Sequence, residues 1–275
     1  MLSVKLYVSS HKEFPIPKHP LIQGIYLGNH VDLLPKDNTG ENISHKNPYY
    51  CELTAQYWVW KNQVADYYGF FHYRRYLSPR TRNSLPYSIE KLPNEFCLNR
   101  MDFSKFQELV YDYDLIAPKG EEMHLSVEAH YASAPDHHKK HLDIAKKSLV
   151  EMWPEYENSM EVYFSQSKIY FGNMYIMSRA VFLDYCAWLF PVLEDLEAEI
   201  DFDSLSVAEQ RVIGYVAERL FGVYYTHRKE DLRVLEVPRV DFEPNFRVRT
   251  GKKLVNFLLP PESKRRFWVK GCRKK

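Results

Sequence analysis

Asp66-Tyr-Tyr-Gly-Phe-Phe-His-Tyr-Arg-Arg-Tyr76 is the stretch on which the fold reading turns. Its first half, Tyr67-Tyr-Gly-Phe-Phe71, is a short aromatic run of strand length, the pattern of a buried strand. No turn residue separates that run from His72, Tyr73, Arg74 and Arg75. These four therefore sit at a strand's carboxyl end, where α/β sheets bind ligands. Two guanidiniums there can grip a diphosphate bidentately and neutralise charge on a leaving nucleotide. The plainer reading is a surface pair bonded to Asp or Glu.

Working outward, Leu2, Val4, Leu6 and Val8 alternate with Ser3, Lys5 and Tyr7 and predict an opening strand that ends at Ser9-Ser10-His11. A short strand is expected around 22–27. Asn47-Pro48 opens a helix expected to run on through residue 62, with Thr54 and Glu52 in its first turns. Anions are favoured at a helix N-terminus, so Thr54 is a candidate phosphate contact and Glu52 a complement to the helix dipole. Trp58 and Trp60 read as core. Residues 78–99 read as a Pro-rich loop. Helices are expected at 103–110, 138–153, 179–199 and 206–221. Strands are expected at 113–117, 169–177, 223–226 and 233–237. Strands alternating with helices predict an α/β layered fold. One domain over 1–240 is expected, followed by an extended basic and aromatic tail over 241–275.

The chain has 275 residues and a net charge of only +1, which argues against a broad positive field for nucleic acid. Four scattered cysteines without a CxxC pair suggest neither a zinc site nor a disulfide framework. The start is a strand pattern rather than a signal peptide, and no run approaches the roughly 18 apolar residues of a membrane span. A cytoplasmic protein is expected. From Gly251 to Lys275 nine Lys or Arg stand against one Glu and interleave with Leu254, Phe257, Leu258, Leu259, Phe267 and Trp268. That composition suits peripheral contact with the inner face of the cell membrane, and it equally suits a solubilising tail.

On the helix expected from Ser206, the stripe Ile213, Val216 and Leu220 faces the core, and Glu209 lies one turn back on the same face. An inward carboxylate at a helix mouth is a candidate general base for an acceptor hydroxyl. Ser206-x-x-Glu209 is also a capping box. Arg211 reads as an ion partner with a second reading as a phosphate contact. Glu218 and Arg219 read as ion partners. Asp112-Tyr-Asp114 matches the DxD metal signature but precedes a strand rather than following one. The histidines from His124 to His141 lack HExxH spacing and leave His130 and His137 as substrate contacts. No metal ligand set is assigned.

Asp37–Ser44, Asn47-Pro-Tyr-Tyr-Cys-Glu-Leu-Thr54, Tyr57-Trp-Val-Trp-Lys-Asn62, Phe71-His-Tyr-Arg-Arg-Tyr76 and Ala217-Glu-Arg-Leu220 occur in that order. Together they resemble a bacterial capsular-polysaccharide-synthesis family, catalogued as a domain of unknown function and regarded as glycosyltransferases. The resemblance spans residues 3 to about 240. It implies a GT-A-like, Rossmann-type nucleotide-sugar domain with a mixed central sheet flanked by helices. It also implies a transferase using a UDP-sugar and a glycan or lipid-linked acceptor, with inversion expected and retention the open alternative; some relatives transfer galactofuranose. Ser9, Ser10, His11, Lys61, Asn62 and His72-Tyr73-Arg74-Arg75 would then meet the donor. Gly172, Asn173, Met174 and His130 would line the acceptor side, with Glu209 as catalytic base. The arginines stand where GT-A enzymes place DxD, so they would do what manganese or magnesium does elsewhere. The competing classes are a sugar-phosphate transferase of capsule assembly and a non-catalytic carbohydrate-binding protein.

Overall fold

Strand β1 (Val4–Ser10) pairs in parallel with β2 (Ile22–Tyr26) on one side and with β3 (Tyr67–His72) on the other. Strand β9 (Tyr175–Ser178) lies antiparallel beside β3, then antiparallel to β6 (Leu115–Pro118), which is parallel to β10 (Val234–Val237). The sheet is therefore mixed, and helices flank it. The computed structural model describes residues 1–28, 35–79, 85–90, 101–243, 245–260, 263 and 265. Of the tail, Lys264, Arg266, Phe267, Trp268, Lys270 and Arg273–Lys275 lie outside the described residues, as does most of the 78–99 loop.

A second ladder grows from the end of β3. Strand β4 (Arg75–Leu77) folds back on His72, and β11 (Arg239–Phe242) joins β4 to β5 (Tyr87–Glu90). Strand β5 lies within the stretch expected to be loop. Short strands β7 (Glu121–Glu122) and β8 (Lys168–Ile169) pair with one another near the carboxyl ends of β1, β3 and β6.

The helices are α1 (Asn47–Tyr50), α2 (Leu53–Asn62), α3 (Ser104–Leu109), α4 (Val127–Ser133), α5 (Lys139–Met152), α6 (Glu157–Ser165), α7 (Arg179–Ala198), α8 (Val212–Arg228) and α9 (Phe246–Leu258). Helix α7 continues through Pro191. A proline costs roughly 3 kcal/mol inside a helix, while burying each of Leu189, Phe190, Val192 and Leu193 returns about 1.5–3 kcal/mol.

Four expectations are corrected. The helix expected over 47–62 is broken at Cys51, whose φ is 53°. The strand expected over 169–177 is interrupted by Gly172 and Asn173, with φ 106° and 49°. The strand expected at 223–226 is the last part of α8: its residues are apolar because the whole helix is buried, so period could not distinguish the two. The tail is not extended over Phe246–Leu258, which is α9, capped by the Asn245 side chain accepting from the Val248 N–H.

Helix α8 packs so closely on α6 that a methyl at Gly222 would run into the buried Tyr163 ring. Gly222→Ala should therefore destabilise the protein by about 1–3 kcal/mol in chemical denaturation, although alanine is the better helix former. Equal or greater stability would show that Tyr163 has room to move.

Candidate functional site

The β1–β3 register sets Ser9 opposite His72. The antiparallel pairing of β9 with β3, Phe70 opposite Tyr175, brings the Gly172-Asn173 turn to the same sheet end. A cavity of about 880 Å³ opens there, floored by these strand ends and walled by α1, the start of α2 and the first turns of α8.

Eleven of the contact residues singled out in the sequence line it: Ser9, Ser10, His11, His72, Arg74, Arg75, His130, His137, Gly172, Asn173 and Arg211. Six do not. Thr54 is buried, its hydroxyl donating to the Cys51 carbonyl at 3.1 Å. Lys61 and Asn62 lie at the far end of α2, Lys61 paired with Glu41 at 3.2 Å and Asn62 donating to the Glu41 carbonyl at 2.7 Å. Tyr73 is buried, supporting the strand end through contacts with Phe14 and His72. Met174 is buried in the core.

Glu209 is the sixth. It sits in a 3-10 turn (Glu209–Arg211) ahead of α8, and its carboxylate accepts from the Ser206 N–H at 2.8 Å while its own N–H donates to Ser206 Oγ at 3.4 Å. This is the capping box. The Ser206 side chain and N–H, then His138 at 2.7 Å, hold the carboxyl down to about 2. A group that binds protons so weakly makes a poor general base.

The cationic side of the cavity is set by Arg74, Arg75 and Arg211. Among the described residues none of the three forms an ion pair with a carboxylate. Arg74 lies over the Tyr73 ring at 5.2 Å. Arg211 lies over Tyr215 at 5.6 Å, its Nε donating to Cys51 Sγ at 3.2 Å. Burial pushes the Cys51 thiol up to about 11, so it leaves the arginine's charge uncompensated. His72 is pushed down to about 3 by burial and then by Arg75 and Arg74. Burial, Lys12 and the arginines lower His11 too. Both imidazoles are neutral at pH 7, leaving the guanidiniums as the charges an anion would meet.

The acidic side comes from Glu52 and Glu218, which the sequence reading gave structural roles, and from Glu121, which it did not single out. The break at Cys51 turns Glu52 into the cavity, where Oε1 accepts from Asn173 Nδ2 at 2.9 Å. The Asn173 carbonyl is held by Gln56 Nε2 at 2.8 Å, and Gln56 in turn by Tyr175 at 2.7 Å. Burial raises the Glu52 carboxyl above its ordinary range. Glu218 accepts from the Gly172 N–H at 2.6 Å and from Arg219 at 2.8 Å, so it is pinned as an ion partner, as expected. Glu121, raised by burial, pairs with Arg239 at 2.9 Å. Non-glycine residues at positive φ are costly, and Cys51 and Asn173 stand on either side of Glu52's hydrogen bond.

The donor set at the end of β3 does not suit a divalent ion, because guanidiniums donate hydrogen bonds and supply no lone pair to a metal. Asp114, of the DxD triplet, lies at the opposite sheet end, bound by Arg233 at 2.8 Å.

The family model described as "Domain of unknown function (DUF4422)" matches residues 5–229. No curated protein sequence matches the chain. Among solved structures, an apo structure of the WbbM bifunctional glycosyltransferase superposes with a TM-score of 0.82 at 33% identity, over 88% of this chain. The match takes in 45% of that protein, so this chain spans about half its length. The fold is thus the mixed α/β architecture found in one part of a glycosyltransferase, and the chain belongs to the DUF4422 family.

Proposed function

We propose that this chain is a glycosyltransferase that moves a sugar from a nucleotide donor, a UDP-sugar, to a glycan or lipid-linked acceptor in surface-polysaccharide synthesis. The observation that carries the reading is the placement of Arg74 and Arg75, without carboxylate partners among the described residues, across a cavity from the half-buried Glu52. Shared fold with part of a named glycosyltransferase supports it.

In this reading the nucleoside lies toward Ser9, Ser10 and His11, and the diphosphate lies on Arg74, Arg75 and Arg211. Glu52 takes the proton from the acceptor hydroxyl as its oxygen attacks the anomeric carbon. The bond from that carbon to the diphosphate oxygen breaks, and configuration inverts. The charge that develops on the departing diphosphate meets guanidiniums already placed at the end of β3. Gly172, Asn173 and His130 border the acceptor side. Galactofuranose is the first donor sugar to test.

UDP should raise the melting temperature of the protein, with manganese or with EDTA alike, because the arginines do the work of a cation. Arg74→Ala and Arg75→Ala should each weaken UDP binding by roughly 10–100-fold, the loss of a charge-assisted contact. A protein that ignores every nucleotide but binds glycans would be a carbohydrate-binding protein instead.

Glu52→Gln should abolish transfer while leaving UDP affinity within about twofold, since the change is isosteric. Glu209→Gln should keep turnover and leave the fold intact, since Gln at this position still accepts from the Ser206 N–H. In the wild type, transfer should fall as acid protonates Glu52, at a pH above the ordinary carboxylate range. Retained transfer by Glu52→Gln would place the base elsewhere.

A further inference from the structure

Helix α9 presents its faces in the reverse of the usual order. Its polar face lies against the body: Lys252 meets the Glu243 carboxylate at 2.9 Å, Lys253 meets Glu90 at 3.3 Å, and Arg249 donates to the Glu243 carbonyl at 3.2 Å. Tyr87 on β5 donates to Asn256 Oδ1 at 3.5 Å. Its apolar face points outward, with Phe257 82%, Leu258 64% and Leu254 56% exposed and Val248 and Val255 continuing the patch. A contiguous apolar face that is not folded inward marks an interaction surface, unlike hydrophobics exposed singly.

The charge of the chain says what that surface meets. From Arg247 to the end eleven Lys and Arg stand against the single Glu262. The overall +1 therefore divides into +10 on this segment and −9 on everything before it. A second copy docked symmetrically through α9 would set two such segments against each other. A nucleic-acid backbone would satisfy the charge and leave Phe257 and Leu258 in water. An anionic bilayer satisfies both, taking apolar side chains at the acyl boundary and cations among the headgroups.

We propose that the Leu254–Leu258 face of α9 docks this protein on a lipid surface bearing anionic headgroups. The same contact would place the cavity beside the lipid. Glu90 and Tyr87 of β5 hold α9, and β11, paired with β5, carries Arg239 into the cavity wall. An acceptor anchored in that surface would reach the cavity without leaving it. The docking surface stands independently of the donor assignment, and vesicle binding reads it without any turnover.

The test is co-sedimentation of the full chain with phosphatidylcholine vesicles, with and without phosphatidylglycerol, for the wild type and for Leu254→Glu/Phe257→Glu. Both positions are exposed, so the pair leaves the fold intact, which an unchanged melting temperature confirms. The wild type should sediment with the phosphatidylglycerol vesicles and remain free of the neutral ones. The double variant should lose binding by about tenfold or more, since two apolar anchors are gone and two anionic groups repel the surface. Sedimentation with neither vesicle, or equal binding by wild type and variant, overturns the proposal. So does a wild-type dimer in light scattering that the double variant converts to monomer, which would give the face to a second copy.

Discussion

Six consecutive parallel pairings, Val4 with Tyr67 through Ser9 with His72, hold level the two strand ends that floor the cavity. Gly69 makes that pairing tight, because any side chain there would collide with Leu6 on β1 and Ile176 on β9. A slip of one residue would exchange the two buried faces of β3 and separate Ser9 from His72. Strand β9 then inherits its register from β3, which delivers Gly172 and Asn173 to the same sheet end. The cavity is thus a consequence of strand alignment, and loops only finish its walls.

Around that alignment the chain accepts local cost. A residue such as Cys51 in the left-handed half of backbone space costs about 1–3 kcal/mol. It persists because its carbonyl accepts from Asn47 Nδ2 at 2.8 Å and from the Thr54 hydroxyl at 3.1 Å, each bond contributing about 0.5–1.5 kcal/mol. The outcome is that a helix which would have passed the cavity stops beside it. Glu52 then faces Asn173 rather than solvent. Thr54 therefore serves the site by holding the break rather than by meeting a phosphate.

The cavity divides its charges unevenly. Arg219 and Arg239 are compensated by Glu218, Glu121 and Asp241, and these pairs build the wall. Arg74, Arg75 and Arg211 have no carboxylate partner among the described residues. Buried pairs contribute little net stability, but they fix geometry. Uncompensated guanidiniums at a cavity mouth instead give a ready site for a polyanion.

The strands β1 and β3, the helices α5 and α7 and the position of the arginine pair were legible in the sequence, whereas the pair's role carried two readings. An aromatic run of strand length that passes through His72 and Tyr73 into two arginines sets them beyond the strand's carboxyl end. Glu209 was half legible: Ser206-x-x-Glu209 named the capping box, and only the structure shows the carboxylate held by the Ser206 N–H and His138. Glu52 was not legible at all, since Cys51 sits in a run of good helix formers and nothing local announces a positive φ. That angle is imposed by packing between α1, α8 and the Asn173 turn, residues far apart in the chain. Likewise the pattern of α9 showed basic and apolar residues interleaved but not which face would turn inward. Local propensity and period thus determined which elements form. The tertiary contacts, made between segments a hundred and more residues apart, decided which side chains the elements bring together and which they leave to the surface.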